Sequence, residues 1–294
     1  MGGFARVWIT QNGGMTILGA ISLPQNPPET LRDIARTADQ AGLDELWLWE
    51  DCFLNGGVAA ASAALAWTTN LRVGIGIMPV PFRNVALCAM EIATLARMFG
   101  DRAMPGIGHG VQDWMAQVGV KAGSPLTLLR EYASSLRSLL AGETVTTAGR
   151  YVSLESVTLD WPPAPAPRLL IAATGPKTLA LAGELGDGTV LSGGTTPSMV
   201  AEARKLIAPR DGHDIIVFVA AVTGPNAAAR RRAAAEEWGQ DYGGLAGTPA
   251  DIAEGVREFA AAGATRVILQ PLPDEPDPAA FVHFVADKVR PLIG

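Results

Sequence analysis

TNLRVGIGIMPVPFRNVALCAMEIATLARMFGDR (residues 69–102) decides the fold class, because it carries one complete β/α unit. Leu71 to Ile77 is an apolar run without clean alternation, which fits a strand of a buried parallel sheet. Val85 to Phe99 follows with helical spacing, and Arg102 to Ile107 is the next strand, a weak one because it contains Pro105 and Gly106. Gly74 and Gly76 inside the first strand mark a bulge or a close approach. They admit two readings: tight packing, or a strained backbone step pressed against a flat ligand.

The same alternation runs outward in both directions. Upstream are strands over 16–22 and 43–49 and helices over 29–41 and 58–68. Downstream come a helix over 124–141 and an irregular stretch over 142–167, read as a hairpin (143–160) and a proline-rich run, Trp161 to Pro167. That stretch is either an interdomain linker or an excursion; the alternation resumes at once, which favours the excursion. Strands over 168–173, 188–191, 214–222 and 266–270 follow, with helices over 176–185, 197–208, 226–238, 249–262 and 278–289. Eight strands, each followed by a helix, predict an α/β fold, the (β/α)8 barrel, with a doubly wound open sheet as runner-up. Residues 15–294 form the predicted barrel domain, and residues 1–14 an appendage to it.

Composition narrows the function. The 294 residues are 48% hydrophobic and 18% charged, which excludes a disordered chain. Lys and Arg number 23 against 29 Asp and Glu, so no basic surplus exists to hold a nucleic acid. Two cysteines without CxxC spacing and three histidines suggest neither a disulfide framework nor a metal centre. No apolar run reaches membrane-span length. The first residues lack a sustained apolar h-region, so the expected location is cytoplasmic.

Catalytic barrels carry their chemistry where the strands end. After the second strand stand Glu50 and Asp51 between Trp49 and Cys52-Phe53. A carboxylate there either caps or pairs, or, against apolar neighbours, moves a proton. The fourth strand ends Gly106-Ile-Gly108-His109-Gly110-Val111, neither a dinucleotide fingerprint nor a Walker loop. Its glycines let main chain approach a ligand beside one imidazole. The fifth ends Ala172-Ala173-Thr174-Gly175-Pro176-Lys177-Thr178 and enters a helix directly, which suits an anion; the alternative is capping by Thr174 with Lys177 solvated. Ser192 to Thr196 suits a mouth lining, and 114–124 is read as a long loop at the entrance. Leu87, Met90, Ile92, Leu95 and Met98 suit a core or a subunit interface, and Arg230 to Arg232 a solvated helix face.

Taken in order, residues 35–51 (ARTADQAGLDELWLWED), 69–102, 106–119 (GIGHGVQDWMAQVG) and 171–188 (IAATGPKTLALAGELGDG) resemble the bacterial luciferase-like superfamily of flavin- and deazaflavin-dependent oxidoreductases. The branch most resembled includes the F420-dependent methylenetetrahydromethanopterin reductases. The resemblance implies a (β/α)8 barrel with a cofactor ring at its C-terminal mouth, coenzyme F420 or alternatively FMN. It implies a bulge with a non-proline cis peptide at Gly76–Ile77. It places ring and phosphate contacts at Gly108, His109, Gly110 and Ala172 to Gly175, with Pro176, Lys177 and Thr178 continuing the site. Glu50 and His109 are carried over as the proton-exchanging groups. Where the family often has Asp-His after the second strand, this chain has Glu50-Asp51. The implied reaction is hydride transfer between reduced F420 and an unsaturated or carbonyl small molecule, in a homodimer formed through the second and third helices. An FMN-dependent monooxygenase, a non-catalytic deazaflavin-binding protein and a sugar-phosphate enzyme are the competing readings.

Overall fold

The computed structural model describes residues 16–237 and 244–293. The 1–14 appendage and the end of the 226–238 helix lie outside them. Eight parallel strands close a barrel in the order β1 (Ile17–Ser22), β2 (Glu45–Leu48), β3 (Arg72–Pro79), β4 (Ala103–Gly108), β7 (Leu170–Ala172), β8 (Gly188–Leu191), β9 (Asp214–Thr223) and β11 (Arg266–Gln270). Pairing of β11 with β1 and of β8 with β9 completes the circle. The antiparallel hairpin β5 (Val145–Ala148) and β6 (Ser153–Val157) is the expected excursion. Among the described residues no helix is long and apolar enough to cross a membrane.

The helices are α1 (Leu31–Gln40), α2 (Gly57–Trp67), α3 (Val85–Phe99), α4 (Gln112–Gln117), α5 (Pro125–Leu140), α6 (Pro176–Leu185), α7 (Pro197–Ile207), α8 (Ala227–Glu237), α9 (Pro249–Ala261) and α10 (Pro278–His283). Three details depart from the sequence reading. The entrance loop contains the short helix α4. A further strand, β10 (Leu245–Gly247), pairs parallel with the end of β9; its three residues carry no usable periodicity. The last helix widens to a π-helix over Phe284–Val289. The weak strand over 102–107 is β4, and all six of its residues are buried.

Two cores follow from strand alternation. Outward side chains such as Leu46, Leu48, Val73 and Ile75 pack against the helices. Inward ones fill the lumen: Ile21, Trp47, Met104, Leu170, Val190, Ile216, Phe218 and Ile268. β3 gives this inner core no side chain at two positions, and the glycines are the reason. A Cβ on Gly74 would stand 2.4 Å from the Trp47 ring, and one on Gly76 2.6 Å from Phe218. Trp47 and Phe218 meet edge-on, with centroids 5.4 Å apart, in the space those glycines vacate. Below them Glu45, fully buried, accepts from the Trp47 indole (3.0 Å) and pairs with Arg266, which also reaches Asp214 at 3.2 Å.

Gly74→Ala is therefore an overpacking substitution. It is expected to cost about 1–3 kcal/mol, read as a lowered midpoint in urea unfolding. An unchanged midpoint would show that the Trp47 ring can move aside.

Candidate active site

The C-terminal mouth begins at an irregularity in β3. Its register on β4 runs regularly to Ile75↔Pro105, then resumes at Met78↔Ile107, and the Gly76–Ile77 peptide is cis. The expected bulge is thus present at the expected step. Gly76 and Ile77 are half-buried between fully buried neighbours, so this is where β3 opens to the mouth. The glycines of β4 make room for it. A Cβ on Gly106 would lie 2.6 Å from the Ile75 carbonyl, and one on Gly108 3.2 Å from the Ile77 and Ala172 side chains. Packing explains Gly74 fully; at Gly76 it coincides with the backbone step.

Alternation along β2 separates the two adjacent carboxylates. Glu45, Trp47 and Trp49 face the lumen, whereas Leu46 and Leu48 face the helices. Glu50 continues the outward series. Its Oε1 and Oε2 receive Arg83 at 2.7 and 3.1 Å, and Oε2 also accepts from the Gly57 N–H at 2.9 Å, in the first turn of α2. Arg83 holds Glu91 as well, at 3.0 Å. A carboxylate with both oxygens committed to a guanidinium is a tether, not a proton shuttle. The expectation that Glu50 exchanges the proton therefore does not fit its surroundings. Asp51 falls in the phase of Trp49, and among the described residues its carboxylate has no hydrogen-bond or ion-pair partner. Burial alone pushes its pKa above the usual carboxylate range.

After β4, Gly110 takes a positive φ of 67°, and its Cβ would stand 2.8 Å from Pro79. Gln112 donates to the carbonyls of His109 and Gly110 (3.2 and 3.3 Å) and fixes the loop. His109 Nε2 lies 3.2 Å from the Thr178 hydroxyl, joining this loop to the first turn of α6. Burial lowers the imidazole's pKa and so favours the neutral ring. The Pro125 backbone, the other group acting on the ring, opposes that shift weakly.

At the β7 end, Gly175 is the N-cap of α6 and no side chain caps it. The alternative in which Thr174 does so is not what forms. Thr174, Pro176 and Lys177 are exposed, and Ala172 and Ala173 line the step beneath. Ser192 to Thr195 follows β8, bent by Gly194 at φ 83° and tied by Thr195 Oγ1 to the Ser192 carbonyl at 2.7 Å. Between this loop, α7 and the start of α6 lies a cavity of about 420 Å³.

Together these ends make an asymmetric rim. Gly108 of β4, Ala172 of β7 and Ser192 after β8 form a low side, whereas Ala220 of β9 is covered by Val222, Ala227 and Leu272. Leu23, Trp49 and Gln270 form a high side, with Trp49 stacked on Phe218 at 6.1 Å. Gln270 follows Ile268 in the lumen phase and is 1% exposed, yet among the described residues its Oε1 has no partner; nor does the Trp49 indole N–H. Period-2 phasing from Trp47 and from Ile268 points to Trp49, Asp51 and Gln270, and the sequence reading did not apply it there. Among the described residues no group of His, Cys, Asp and Glu could hold a metal ion.

Residues 4–243 match the family model described as luciferase-like monooxygenase. The chain is 32% identical over 171 residues to a 5,10-methylenetetrahydromethanopterin reductase of Methanolobus tindarius, covering 58% of this chain and 52% of that protein. It is 32% identical over 195 residues to an F420-dependent glucose-6-phosphate dehydrogenase of Kineococcus radiotolerans, covering 62% and 57%. The matched part thus spans little more than half of either relative. An F420-dependent secondary alcohol dehydrogenase, solved with an F420-acetone adduct, shares the fold with a TM-score of 0.82 at 19% identity, covering 95% of this chain and 99% of that one. The chain belongs to the luciferase-like monooxygenase family.

Proposed function

We propose that this chain is an oxidoreductase that transfers a hydride between reduced coenzyme F420 and an unsaturated or carbonyl small molecule. The observation that carries the reading is the asymmetric rim. A low shelf of small residues runs from the β3 bulge toward the α6–α7 cavity, opposite a wall of Leu23, Trp49 and Gln270, with Asp51 following Trp49. The relatives named for F420 support this cofactor over FMN.

The residues fit a planar ring with polar edges. Gly76, Ile77 and Gly108 would back it. Trp49 Nε1 and Gln270 Oε1, without a partner among the described residues, offer hydrogen bonds to such an edge. The uncapped start of α6 with Thr174, Gly175 and Lys177, together with Ser192 to Gly194, would take a phosphate. When bound, coenzyme F420 supplies a two-electron hydride carrier; the chain supplies orientation, an apolar wall and a proton. Asp51 is the proton-exchanging group of this proposal. Its raised pKa brings it nearer neutrality, where a general acid works best. Neutral His109 holds the Thr178 hydroxyl and the loop. Glu50 and Arg83 fix the β2–α2 loop that carries Asp51. Leu87, Met90 and Met98, exposed along α3, support a homodimer through that helix.

Titration of the purified protein with F420, FMN and FAD, followed by absorbance and fluorescence, is expected to give saturable binding of F420. Binding of FMN alone would replace this reading with the monooxygenase one. In anaerobic turnover of ketone or enone acceptors with reduced F420, Asp51→Asn is expected to lower kcat by about 10²- to 10⁴-fold at unchanged F420 affinity. The wild-type rate of reduction should fall as pH rises through the Asp51 pKa, and the variant should lack that limb. Glu50→Gln should instead lower the melting temperature and spare the chemical step; the reverse pattern would return the role to Glu50.

Asp51 also makes a stability prediction. Its folded pKa lies above the unfolded value of about 3.9, so the native state binds the proton more tightly. Stability from this group is complete below that pH and is lost as pH rises through the folded pKa. Asp51→Asn should therefore raise the melting temperature at pH 7 and lose that advantage near pH 4. Equal shifts at both pH values would contradict the assignment.

A further inference from the structure

A second cavity lies at the opposite end of the barrel, where the strands begin. It has a volume of about 500 Å³, within the roughly 300–1,000 Å³ of small-molecule sites. The lumen side chains Trp47, Ile216 and Phe218 stand between it and the mouth.

Its lining joins two chemistries. Met104 and Leu170, at the strand starts, form one apolar wall, and the proline-rich segment 163–167 forms the other. Four guanidinium groups reach it, from Arg72, Arg97, Arg168 and Arg266. The acidic groups at hand are Asp101 and Asp214 in the lining, Glu45 behind it, and Asp44, whose carboxylate interacts with Arg72 and Arg266, so acids and guanidiniums balance and the donors of Arg72, not a surplus of charge, distinguish the cavity. Three of the arginines are fixed. Arg266 is held by Glu45 and Asp214. Arg168 pairs with Asp214 at 2.9 Å and donates to the Asp187 and Gly212 carbonyls. Arg97 donates to the Pro162 carbonyl and lies over the Trp161 ring.

Arg72 differs. Its Nε makes a long 3.4 Å contact with the Asp101 carbonyl, and its Nη1 approaches Glu45 only to 3.7 Å. Among the described residues its terminal nitrogens make no hydrogen bond, although Asp44 and Glu45 lie within electrostatic reach, and the side chain is 30% exposed. Five N–H donors in a planar fork, largely unused beside two apolar walls, suit a carboxylate or similar oxyanion on a flat apolar body.

We propose that this end of the barrel is a second ligand site, which takes an amphipathic organic anion, with Arg72 binding the anionic head and Met104, Leu170 and the proline segment holding the body. The site is independent of the chemistry assigned to the mouth.

Isothermal titration of the full chain with 2-naphthoate and with neutral 2-naphthamide tests it without any variant. Saturable 1:1 binding of the carboxylate, at least tenfold tighter than the amide, is expected. Arg72→Gln should weaken it at least tenfold, and Ala96→Trp, which fills the cavity from α3, should abolish it, both with unchanged F420 titration at the mouth. No heat at millimolar naphthoate, equal affinity for the amide, or binding indifferent to both substitutions would overturn the proposal.

Discussion

How high the lumen is filled governs everything above it. Trp47 and Phe218 are too large for a barrel in which all eight strands contribute a side chain at that level; they fit because β3 presents Gly74 and Gly76 there. The aromatic pair forms the floor on which Trp49 stacks. Above that floor the strands on one side end in glycine, alanine and serine and those on the other in tryptophan and glutamine, so the rim is lopsided. The bulge in β3 belongs to the same arrangement, since the backbone step lies where Gly76 meets Phe218 and where Gly106 and Gly108 of β4 yield space.

Burial at the two ends of the lumen follows different rules. At the strand starts charges are present and mostly matched: Glu45, Asp214 and Arg266 lie within one network closed by Arg168. At the strand ends some polar groups have no hydrogen-bond partner among the described residues: the Trp49 indole, the Gln270 amide oxygen and the Asp51 carboxylate. Unpaired buried polar groups carry a free-energy penalty, and barrels concentrate such penalties where ligands bind. Neither feature is visible in composition, which counts charges without saying which are answered.

The barrel was legible because strand and helix periods survive in a single sequence. β3 and α3 were read from residues 69–102 alone, and the bulge with its Gly76–Ile77 cis step came from the resemblance carried by those same residues. β10 was not legible, being three residues long and defined by its pairing with β9. α4 hid inside a stretch of six helical residues. The site was half legible. Strand-end glycines, His109 and the 172–178 run are read from the sequence as strand-end loops, and the structure ties two of them together through His109 and Thr178. The choice between Glu50 and Asp51 needed the phase of β2 and the position of Arg83, which lies 33 residues away in sequence. Gln270 gave no local signal, because its meaning comes from standing above Ile268 in the lumen.

The clamp of Arg83 on Glu50 has a wider consequence. It couples the connection after β2 to the connection after β3, so those two connections form a single heritable part. A designer who swaps the 50–57 segment for one from another barrel, hoping to alter what the rim accepts, would strand a guanidinium beside Glu91 with its main counter-charge gone. Recombination that moves residues 50–91 as one block keeps the coupling whole.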